Sequence, residues 1–276
     1  MAEKAIKNKL IFRPHFKTHQ NLQIANWFRE EGINKITVSS LKMAKYFMAA
    51  GWDDITIAFP VDPNEISELN KIASKISIQI LVSNRQHINH LSRLTNKVGV
   101  MIKIDAGYHR SGIWYEETKV VKQMIEDIFQ QPNLFFMGLL SHFGNSYAAR
   151  NKEQIIDIGT KSINRMLILK NKLSKEIGII ISLSIGDTPT ASVLEDFTGI
   201  DEIRPGNFVF YDLMQLQIGS CAIDRISAIM RCAVVDKKTK EQQLIIHGGA
   251  VHFSKEAIEL DGVKSYGRLV NTSSEK

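Results

Sequence analysis

Cysteine and proline are scarce in this chain, which has two cysteines and six prolines among 276 residues. Cys221 and Cys232 are too few for a disulfide framework, and their spacing matches no metal-binding motif, so we expect two buried thiols. No apolar run is long enough to cross a bilayer, and residues 1–9 are charged where a signal peptide would be apolar. The sequence therefore predicts a cytoplasmic protein without a membrane partner.

The chain also lacks the features of a nucleic-acid-binding protein, although its net charge is +6 and its pI is near 9.2. It contains no block of lysines and arginines and no zinc-finger or aromatic–basic signature. Many basic residues recur at helical spacing, which is typical of a solvated helix face. We expect no nucleic-acid partner, and we expect the positive charge to attract an anionic cofactor or a substrate carboxylate.

Short apolar, β-branched segments alternate with helix-like segments over the first 205 residues. The pattern predicts strands at residues 10–17, 35–39, 54–59, 76–83, 98–105, 134–142, 179–185 and 202–205. It predicts helices at residues 20–31, 41–50, 63–74, 85–95, 116–130, 152–177 and 190–197. Eight strands joined by seven helices imply parallel pairing and an α/β fold, the closed (β/α)8 TIM barrel. An open doubly wound sheet is the alternative, but no Gly-x-Gly-x-x-Gly motif follows the first strand.

The sequence pattern changes after about residue 212. Strands are predicted at residues 226–235 and 243–247, with a polar turn at residues 236–238 between them. We therefore expect two domains: a barrel over residues 1–212 and a partial, β-rich second domain over residues 213–276.

Residues 13–18, Arg-Pro-His-Phe-Lys-Thr, form the most informative segment of the chain. Because side chains alternate across a strand, Arg13, His15 and Lys17 should share one face. Cationic neighbours disfavour the ammonium form of Lys17 and lower its pKa, and a neutral amine is a nucleophile toward aldehydes. The pattern indicates a Schiff-base lysine, and the alternative is a basic strand edge that lies in water.

Polar clusters follow five of the predicted strands, at the end that carries the chemistry in barrels of this type. They are Lys17, residues 105–110, residues 141–147, residues 186–190 and residues 204–207. Five clusters at the same end of the barrel predict a single site.

The turn at residues 186–190 and the turn at residues 206–207 fall in the two loops that usually bind phosphate in such barrels, and each lets the backbone approach an anion. His142 has a flat ring that can stack on a cofactor, and Arg110 can pair with a phenolate or a carboxylate. Each feature has an alternative interpretation. The turn at residues 186–190 can be an ordinary helix cap, His142 a hydrogen-bonded core histidine, and Arg110 a surface ion-pair partner of Asp105.

Residues 13–19, Arg-Pro-His-x-Lys-Thr-His, resemble the pyridoxal-phosphate lysine motif of the D-threonine aldolase and D-serine dehydratase family, which has the alanine racemase-like barrel. Further family motifs match Asp-x-Gly-x-x-Arg-x-Gly at 105–112, His142, Ser146-Tyr147, Gly-x-Thr-Pro-Thr at 186–190 and Pro-Gly-Asn at 205–207. The resemblance implies that Lys17 carries pyridoxal 5'-phosphate covalently, with Arg110 near the cofactor and His142 against its ring. It also implies that the cofactor is bound by Tyr147, Gly186, Thr188, Gly206 and Asn207. Of these, the phosphate would lie on Thr188, Gly206 and Asn207.

The chain departs from the family pattern in three places. Lys17 lies too near Met1 for the strand and helix that usually precede the lysine. The late His-x-Cys or His-x-Asp pair that implies zinc or manganese is not found, because His247 and His252 are poor candidates, so no metal ligands are predicted. Asp187 stands where relatives often have serine, which puts a carboxylate beside the expected phosphate. We therefore expect a chain that is short at both ends.

The resemblance implies a cytoplasmic pyridoxal-phosphate lyase of the D-serine dehydratase or D-threonine aldolase type, acting on a small D-amino acid as a homodimer. An amino-acid racemase is the second hypothesis, which needs no metal but needs a second acid–base group that we cannot place. A non-catalytic or incomplete cofactor-binding barrel is the third. Because the metal pair is missing, we expect little dehydratase or aldolase turnover from this chain alone.

Overall fold

The computed structural model describes residues 1–260 and 262–270. Eight parallel strands form a nearly closed barrel surrounded by helices, which confirms the predicted fold class. The strands of this sheet are β1 (Ile11–Phe12), β2 (Lys35–Val38), β3 (Asp54–Pro60), β4 (Ser77–Val82), β5 (Val98–Asp105), β6 (Ile113–Trp114), β7 (Leu134–Ser141), β8 (Leu183–Ile185) and β9 (Glu202–Ile203). The short strand β6 pairs only with the end of β5, so it lies outside the ring of eight.

The barrel strands follow one another in chain order, and β9 lies beside β1. The ring closes between the segment after β1 and β2. There the N–H of Thr37 donates to the carbonyl of Pro14 at 2.9 Å, and the N–H of Phe16 donates to the carbonyl of Thr37 at 2.8 Å. Because all eight strands run the same way, the loops after them share one rim, which we call the barrel mouth.

Helices cover the outside of the barrel. They are α1 (Ala2–Lys7), α2 (Leu22–Glu30), α3 (Leu41–Ala49), α4 (Ile66–Ala73), α5 (Arg85–Leu91), α6 (Thr118–Phe129), α7 (Lys152–Ile177), α8 (Thr188–Val193) and α9 (Leu213–Gln217). Local sequence fixes their ends: the side chain of Asn151 caps α7, and Gly178 ends α7 at φ +77, a left-handed conformation that glycine adopts without strain.

An aromatic cluster anchors the segment that carries Lys17. The side chain of Phe16 is fully buried, and its ring lies 5.1 Å from Phe28, 5.0 Å from Phe47 and 5.2 Å from Trp52, measured between centroids. These rings come from α2, α3 and the loop before β3. The neighbouring residue Lys17 is therefore attached to the hydrophobic core through Phe16.

The inside of the barrel near the start of the strands is organised around Arg13. Its Nε donates to Glu202 Oε2 at 2.7 Å, and its Nη1 donates to Asp54 Oδ1 at 2.5 Å. Lys35 Nζ donates to the second oxygen of Asp54 at 2.5 Å. Arg13 is 3% exposed, so it forms a buried ion pair and does not lie on a solvent-exposed strand edge.

Several predicted boundaries near the mouth were wrong. Strand β1 ends at Phe12. The N–H of His15 still donates to the carbonyl of Pro205 at 3.0 Å, but Pro205 has no N–H to donate to the carbonyl of Arg13, which accepts from Thr37 Oγ1 instead. Residues 16–19 then form a turn, so Lys17 lies in a turn and not on a strand. Helix α8 begins at Thr188, because the Asp187 side chain accepts from the N–H of Thr190 and caps the helix there. Strand β8 is shorter than residues 179–185, and β9 is shorter than residues 202–205.

The chain beyond the barrel forms two small antiparallel ladders. Strand β10 (Val234–Lys238) pairs with β11 (Gln243–Ile246), and β12 (Ile258–Leu260) pairs with β13 (Val263–Ser265). The strand predicted at residues 226–235 was wrong, since the chain is irregular until β10 begins. The predicted polar turn at residues 236–238 lies within β10, whose side chains are exposed on both faces, so polar residues carry no cost there. The domain boundary at residue 212 stays a prediction.

Cys221 and Cys232 are free thiols, and both are half-buried rather than buried as expected. Burial, and then the nearby carboxylates Asp212 and Asp224, raise the pKa of the Cys221 thiol, which disfavours the reactive thiolate. Within residues 1–260 and 262–270, no helix is both long and apolar enough to cross a membrane.

The Arg13 ion pair predicts a large effect on stability. Replacing Arg13 by alanine leaves the buried Glu202 without this partner and leaves the half-buried Asp54 with Lys35, so we expect the free energy of unfolding to fall by about 3–5 kcal/mol, as for other broken buried pairs. Urea denaturation would measure this change. The control is Lys71→Ala, which removes an exposed partner of Glu68 and should change stability little. Equal effects of the two substitutions would contradict a structural role for Arg13.

Candidate active site

Lys17 lies at the barrel mouth with its side chain exposed there, in the turn that follows β1. Its backbone N–H donates to Nδ1 of His15 at 3.3 Å. Partial burial in the mouth, and then Arg110 and Arg204, lower the pKa of the Lys17 ammonium group. The direction of the shift agrees with the prediction, but the responsible cations come from other strands and not from Arg13.

The loop after β5 holds Arg110 over the mouth. Asp105 Oδ1 accepts hydrogen bonds from the N–H groups of Gly107, Tyr108 and His109, at 2.9, 3.0 and 3.1 Å. The Arg110 guanidinium lies 5.1 Å from the centre of the Tyr108 ring, in a cation–π contact. In the described part of the chain, Asp105 makes no ion pair with Arg110, so it organises the loop and leaves Arg110 available to an anion.

His142 faces Tyr108 across the mouth, with ring centroids 5.8 Å apart and the planes nearly perpendicular. Its Nδ1 is hydrogen-bonded to the carbonyl of Gly186, and because a carbonyl only accepts, Nδ1 carries the proton. Burial lowers the pKa of His142 to about 3, and the cations Arg110, Arg204 and Lys17 also lower it. The ring is therefore hydrogen-bonded, as the alternative predicted, and also presents a neutral face at the mouth.

The donors at the start of α8 are already in use. The N–H of Thr188 donates to the hydroxyl of Tyr147 at 3.1 Å, and the N–H of Thr190 donates to Asp187 Oδ2 at 2.8 Å. The Thr188 side chain is completely buried, and its hydroxyl has no hydrogen-bond partner within residues 1–260 and 262–270. A phosphate at this turn would therefore bind the Thr188 hydroxyl, whereas the sequence had suggested the backbone N–H groups together with a threonine hydroxyl.

Gly206 packs against the turn that carries Lys17. A Cβ atom at Gly206 would lie 2.8 Å from the carbonyl oxygen of His15 and 3.1 Å from Thr18 Oγ1, so only glycine fits there. The Asn207 side chain donates to Asp212 Oδ2 at 2.8 Å. The backbone N–H groups of Gly206 and Asn207 have no acceptor in the described part of the chain, so they remain available to an anion.

Arg204 is a buried cation that belongs to the predicted polar cluster at residues 204–207 but received no role of its own from the sequence. Its Nε donates to Ser184 Oγ at 2.6 Å, and its Nη2 donates to the carbonyl of Ser141 at 2.8 Å. Burial lowers the pKa of Arg204 to about 10, so its guanidinium stays charged at neutral pH. It lies directly under the mouth, because a Cβ atom at Gly186 would lie 3.0 Å from its Nη1.

Lys103 and Tyr108 were also missed. Lys103 is 5% exposed on β5, and burial, followed by Arg110 and Arg204, lowers its pKa to about 8. A single lysine inside the apolar segment Val-Gly-Val-Met-Ile-Lys-Ile-Asp is a signal that sequence reasoning had available. Tyr108 gives no such signal, because a tyrosine in a loop has no predictable direction.

In the described part of the chain, no three or more histidine, cysteine, aspartate or glutamate side chains are grouped to hold a metal ion. The rings of His247 and His252 lie 6.4 Å apart between centroids. The prediction that this chain supplies no metal ligands stays a prediction.

Comparison with known proteins places this barrel. The sequence profile "Alanine racemase, N-terminal domain" matches residues 3–213. The chain belongs to this family. Within the alanine racemase N-terminal domain family, it is 28% identical over 279 residues to D-serine dehydratase of Dictyostelium discoideum, covering 93% of this chain and 70% of that protein. It is 26% identical over 249 residues to D-threo-3-hydroxyaspartate dehydratase of Delftia sp. strain HT23, covering 88% of this chain and 65% of that protein.

The fold of the family is also seen in solved structures. The D-threo-3-hydroxyaspartate dehydratase from Delftia sp. HT23 superposes with a TM-score of 0.85 at 24% identity, over 93% of this chain and 69% of that one. Alanine racemases of the family are more distant: the enzyme of Carboxydothermus hydrogenoformans is 25% identical over 194 residues, covering 70% of this chain and 50% of that protein. The chain spans about two thirds of the length of the two dehydratases.

The charges at the mouth predict how Lys17 titrates. Replacing Arg110 by alanine removes a neighbouring cation, so we expect the pKa of Lys17 to rise toward its ordinary value. The pH dependence of Lys17 acetylation by acetic anhydride, followed by peptide mass spectrometry, would measure the midpoint. Arg93→Ala, an exposed arginine after α5 at the opposite rim, should leave that midpoint unchanged. An unchanged midpoint in Arg110→Ala would refute the arrangement.

Proposed function

We propose that this chain is a pyridoxal-phosphate-dependent lyase that acts on a D-amino acid with a β-hydroxyl group. The observation that carries the proposal is Lys17, an amine of lowered pKa at the mouth of a barrel whose rim also presents Arg110 and the unpartnered hydroxyl of Thr188. The dehydratases among the relatives support the reaction class.

The residues at the mouth suit both the aldehyde group and the phosphate group of this cofactor. The amine of Lys17 suits an aldehyde, and a lysine with a lowered pKa is neutral in a larger fraction of molecules. The Thr188 hydroxyl and the backbone N–H groups of Gly206 and Asn207 suit a phosphate, because these donors have no acceptor in the described part of the chain. The cofactor supplies an electron sink for the negative charge that develops at the substrate Cα.

Each side chain at the mouth then has a role in binding or proton transfer. With the cofactor bound, the Nζ atom of Lys17 would be the base that accepts a proton from the substrate Cα, and its lowered pKa makes the neutral amine more available. Arg110, held by Tyr108, binds a phenolate oxygen or the substrate carboxylate. His142 is neutral at pH 7, so it packs as an uncharged ring and adds no proton donor on its Nε2 side.

A lyase is better supported than a racemase. A racemase needs acid–base groups on both sides of the substrate Cα, and in the described part of the chain we place only Lys17 in such a role. The dehydratase relatives also match a larger share of this chain than the alanine racemases do. The homodimer expected from the resemblance stays a prediction, which sedimentation analysis of the purified protein would test.

Covalent attachment at Lys17 is the first test of the proposal. Protein mixed with pyridoxal phosphate and reduced with borohydride should carry one label, and peptide mass spectrometry should find it on Lys17. Lys17→Ala should lose the label and the visible absorption, whereas Lys35→Ala, at the opposite rim, should keep both. A label on another lysine would refute the assignment.

Phosphate binding is the second test. Thr188→Val removes the unpartnered hydroxyl at constant shape, so we expect the affinity for pyridoxal phosphate to fall about 10- to 100-fold, the usual effect of one hydrogen bond to a charged group. Thr198→Val is the control, since Thr198 lies in an exposed loop at the opposite rim and its hydroxyl donates to Asp196 at 2.7 Å. Equal losses in the two variants would argue against a phosphate at Thr188.

Turnover is the third test. We expect the cofactor-loaded chain to convert D-serine or D-threonine in preference to the L-enantiomers, and only weakly with or without added zinc or manganese. The reason is that no ligands are predicted in this chain for the Lewis acid that would assist departure or deprotonation of the β-hydroxyl. Assays for 2-oxo acid and for glycine would separate dehydration from aldol cleavage. Racemisation without either product would favour the second hypothesis, and strong turnover without metal would refute the expectation that the reaction needs a metal.

A further inference from the structure

Asp187 is a buried carboxyl group beside the residues proposed to bind the phosphate. Its side chain is 3% exposed, and it directly precedes Thr188. Its Oδ2 accepts hydrogen bonds from Ser146 Oγ at 2.7 Å and from the N–H of Thr190 at 2.8 Å. Its Oδ1 has no hydrogen-bond partner within residues 1–260 and 262–270. One oxygen of the carboxyl group is therefore fixed, and the other is free.

Arg204 is a cation that acts on this carboxyl group and lowers its pKa. The guanidinium hydrogen bonds of Arg204 go to Ser184 and Ser141, and the nearest carboxylate to Arg204 in the described part of the chain is Glu202 at 3.9 Å. Burial raises the pKa of Asp187 to about 6, because it outweighs the interactions with the Thr190 side chain, Ser146 and the Thr190 N–H as well as the attraction of Arg204.

The other titratable groups on the surrounding elements do not compensate Asp187. The Tyr147 hydroxyl is neutral, because burial and then Asp187 raise its pKa to about 12, and Asp212 acts on it in the same direction. Lys4 of α1 donates to the carbonyls of Ser192 and Leu194, at the other end of α8. A phosphate at Thr188 would therefore meet a like charge that Arg204 offsets only in part.

We propose that Asp187 is a phosphate-binding residue in its protonated form, in which Oδ1 carries a proton and donates it in a hydrogen bond to a phosphate oxygen of the cofactor. This inference rests on the proposed function, because it needs the cofactor phosphate at Thr188. The proton comes from solvent, and no covalent bond forms or breaks. Binding of the phosphate is then linked to the uptake of a proton.

The sign of the pH dependence follows from this linkage. The pKa of Asp187 is about 6 before binding, and a bound phosphate raises it further. At a pH between the pKa of Asp187 in the free protein and its pKa in the complex, each binding event takes up one proton. The affinity therefore falls about tenfold for each unit by which the pH rises in that range. Asp187→Asn keeps an oxygen acceptor for Ser146 and Thr190 and places an N–H donor on the Oδ1 side, so it should bind phosphate without a proton.

The experiment is a fluorescence titration with pyridoxal phosphate between pH 6 and pH 9, compared with pyridoxal, which lacks the phosphate. The ratio of the affinity of Asp187→Asn to that of the natural chain should grow about tenfold per pH unit above the free pKa. Pyridoxal should show no such growth. Asp196→Asn, an exposed loop carboxylate that accepts from Thr198 at the opposite rim, should behave as the natural chain.

Calorimetry of the natural chain in two buffers of different ionisation enthalpy should show uptake of about one proton at pH 7.5, a readout that needs no variant. Parallel pH profiles for the natural chain and Asp187→Asn, or no proton uptake, would overturn the inference and leave the proposed function standing. If neither pyridoxal phosphate nor pyridoxal bound to any form, the proposed function would fail and the inference with it.

Discussion

The buried guanidinium of Arg204 is the constraint on which the barrel mouth depends. It joins three strand ends, because Arg204 follows β9 and donates to Ser184 on β8 and to the carbonyl of Ser141 on β7. Its proximity requires glycine at residue 186, where a Cβ atom would lie 3.0 Å from Nη1. Its charge lowers the pKa values of Lys17, Lys103 and His142. Arg204 thus contributes to the positions of the residues at the mouth and, together with burial and Arg110, to their protonation states.

The two ends of the barrel interior differ in whether their buried cations are neutralised by carboxylates. At the start of the strands, Arg13 is neutralised by Asp54 and Glu202, so this end is complete without a ligand. At the mouth, Arg204 lies 3.9 Å from its nearest carboxylate, and Asp105 is occupied with loop N–H groups and His109. The mouth therefore carries uncompensated positive charge, which an anion can neutralise. A basic composition is consistent with this arrangement but does not reveal it.

The barrel could be predicted from the sequence, and so could the rim at which the candidate site residues lie, because these residues follow strand ends and parallel strands end at one rim. The boundaries near the candidate site could not. The strand before Lys17 stops where Pro205 of the neighbouring strand lacks an N–H, a tertiary effect that alternation along one segment does not encode. Helix α8 starts early because the side chain of Asp187 caps it, a local hydrogen bond that the apolar pattern does not reveal. The partners of Arg204 were unpredictable because they lie on other strands.

Lys17 has the lowered pKa that its sequence context predicts, but its cationic neighbours differ from those predicted, and the difference matters chemically. A pKa lowered by residues of the same strand would be fixed by the fold. Here the first cause is burial in the mouth. The cations are Arg110, which belongs to an exposed loop and contacts Tyr108, and Arg204, which is bonded to neighbouring strands. An anion that binds Arg110 would weaken the effect of Arg110 on Lys17, so anion binding at the mouth should raise the pKa of the amine.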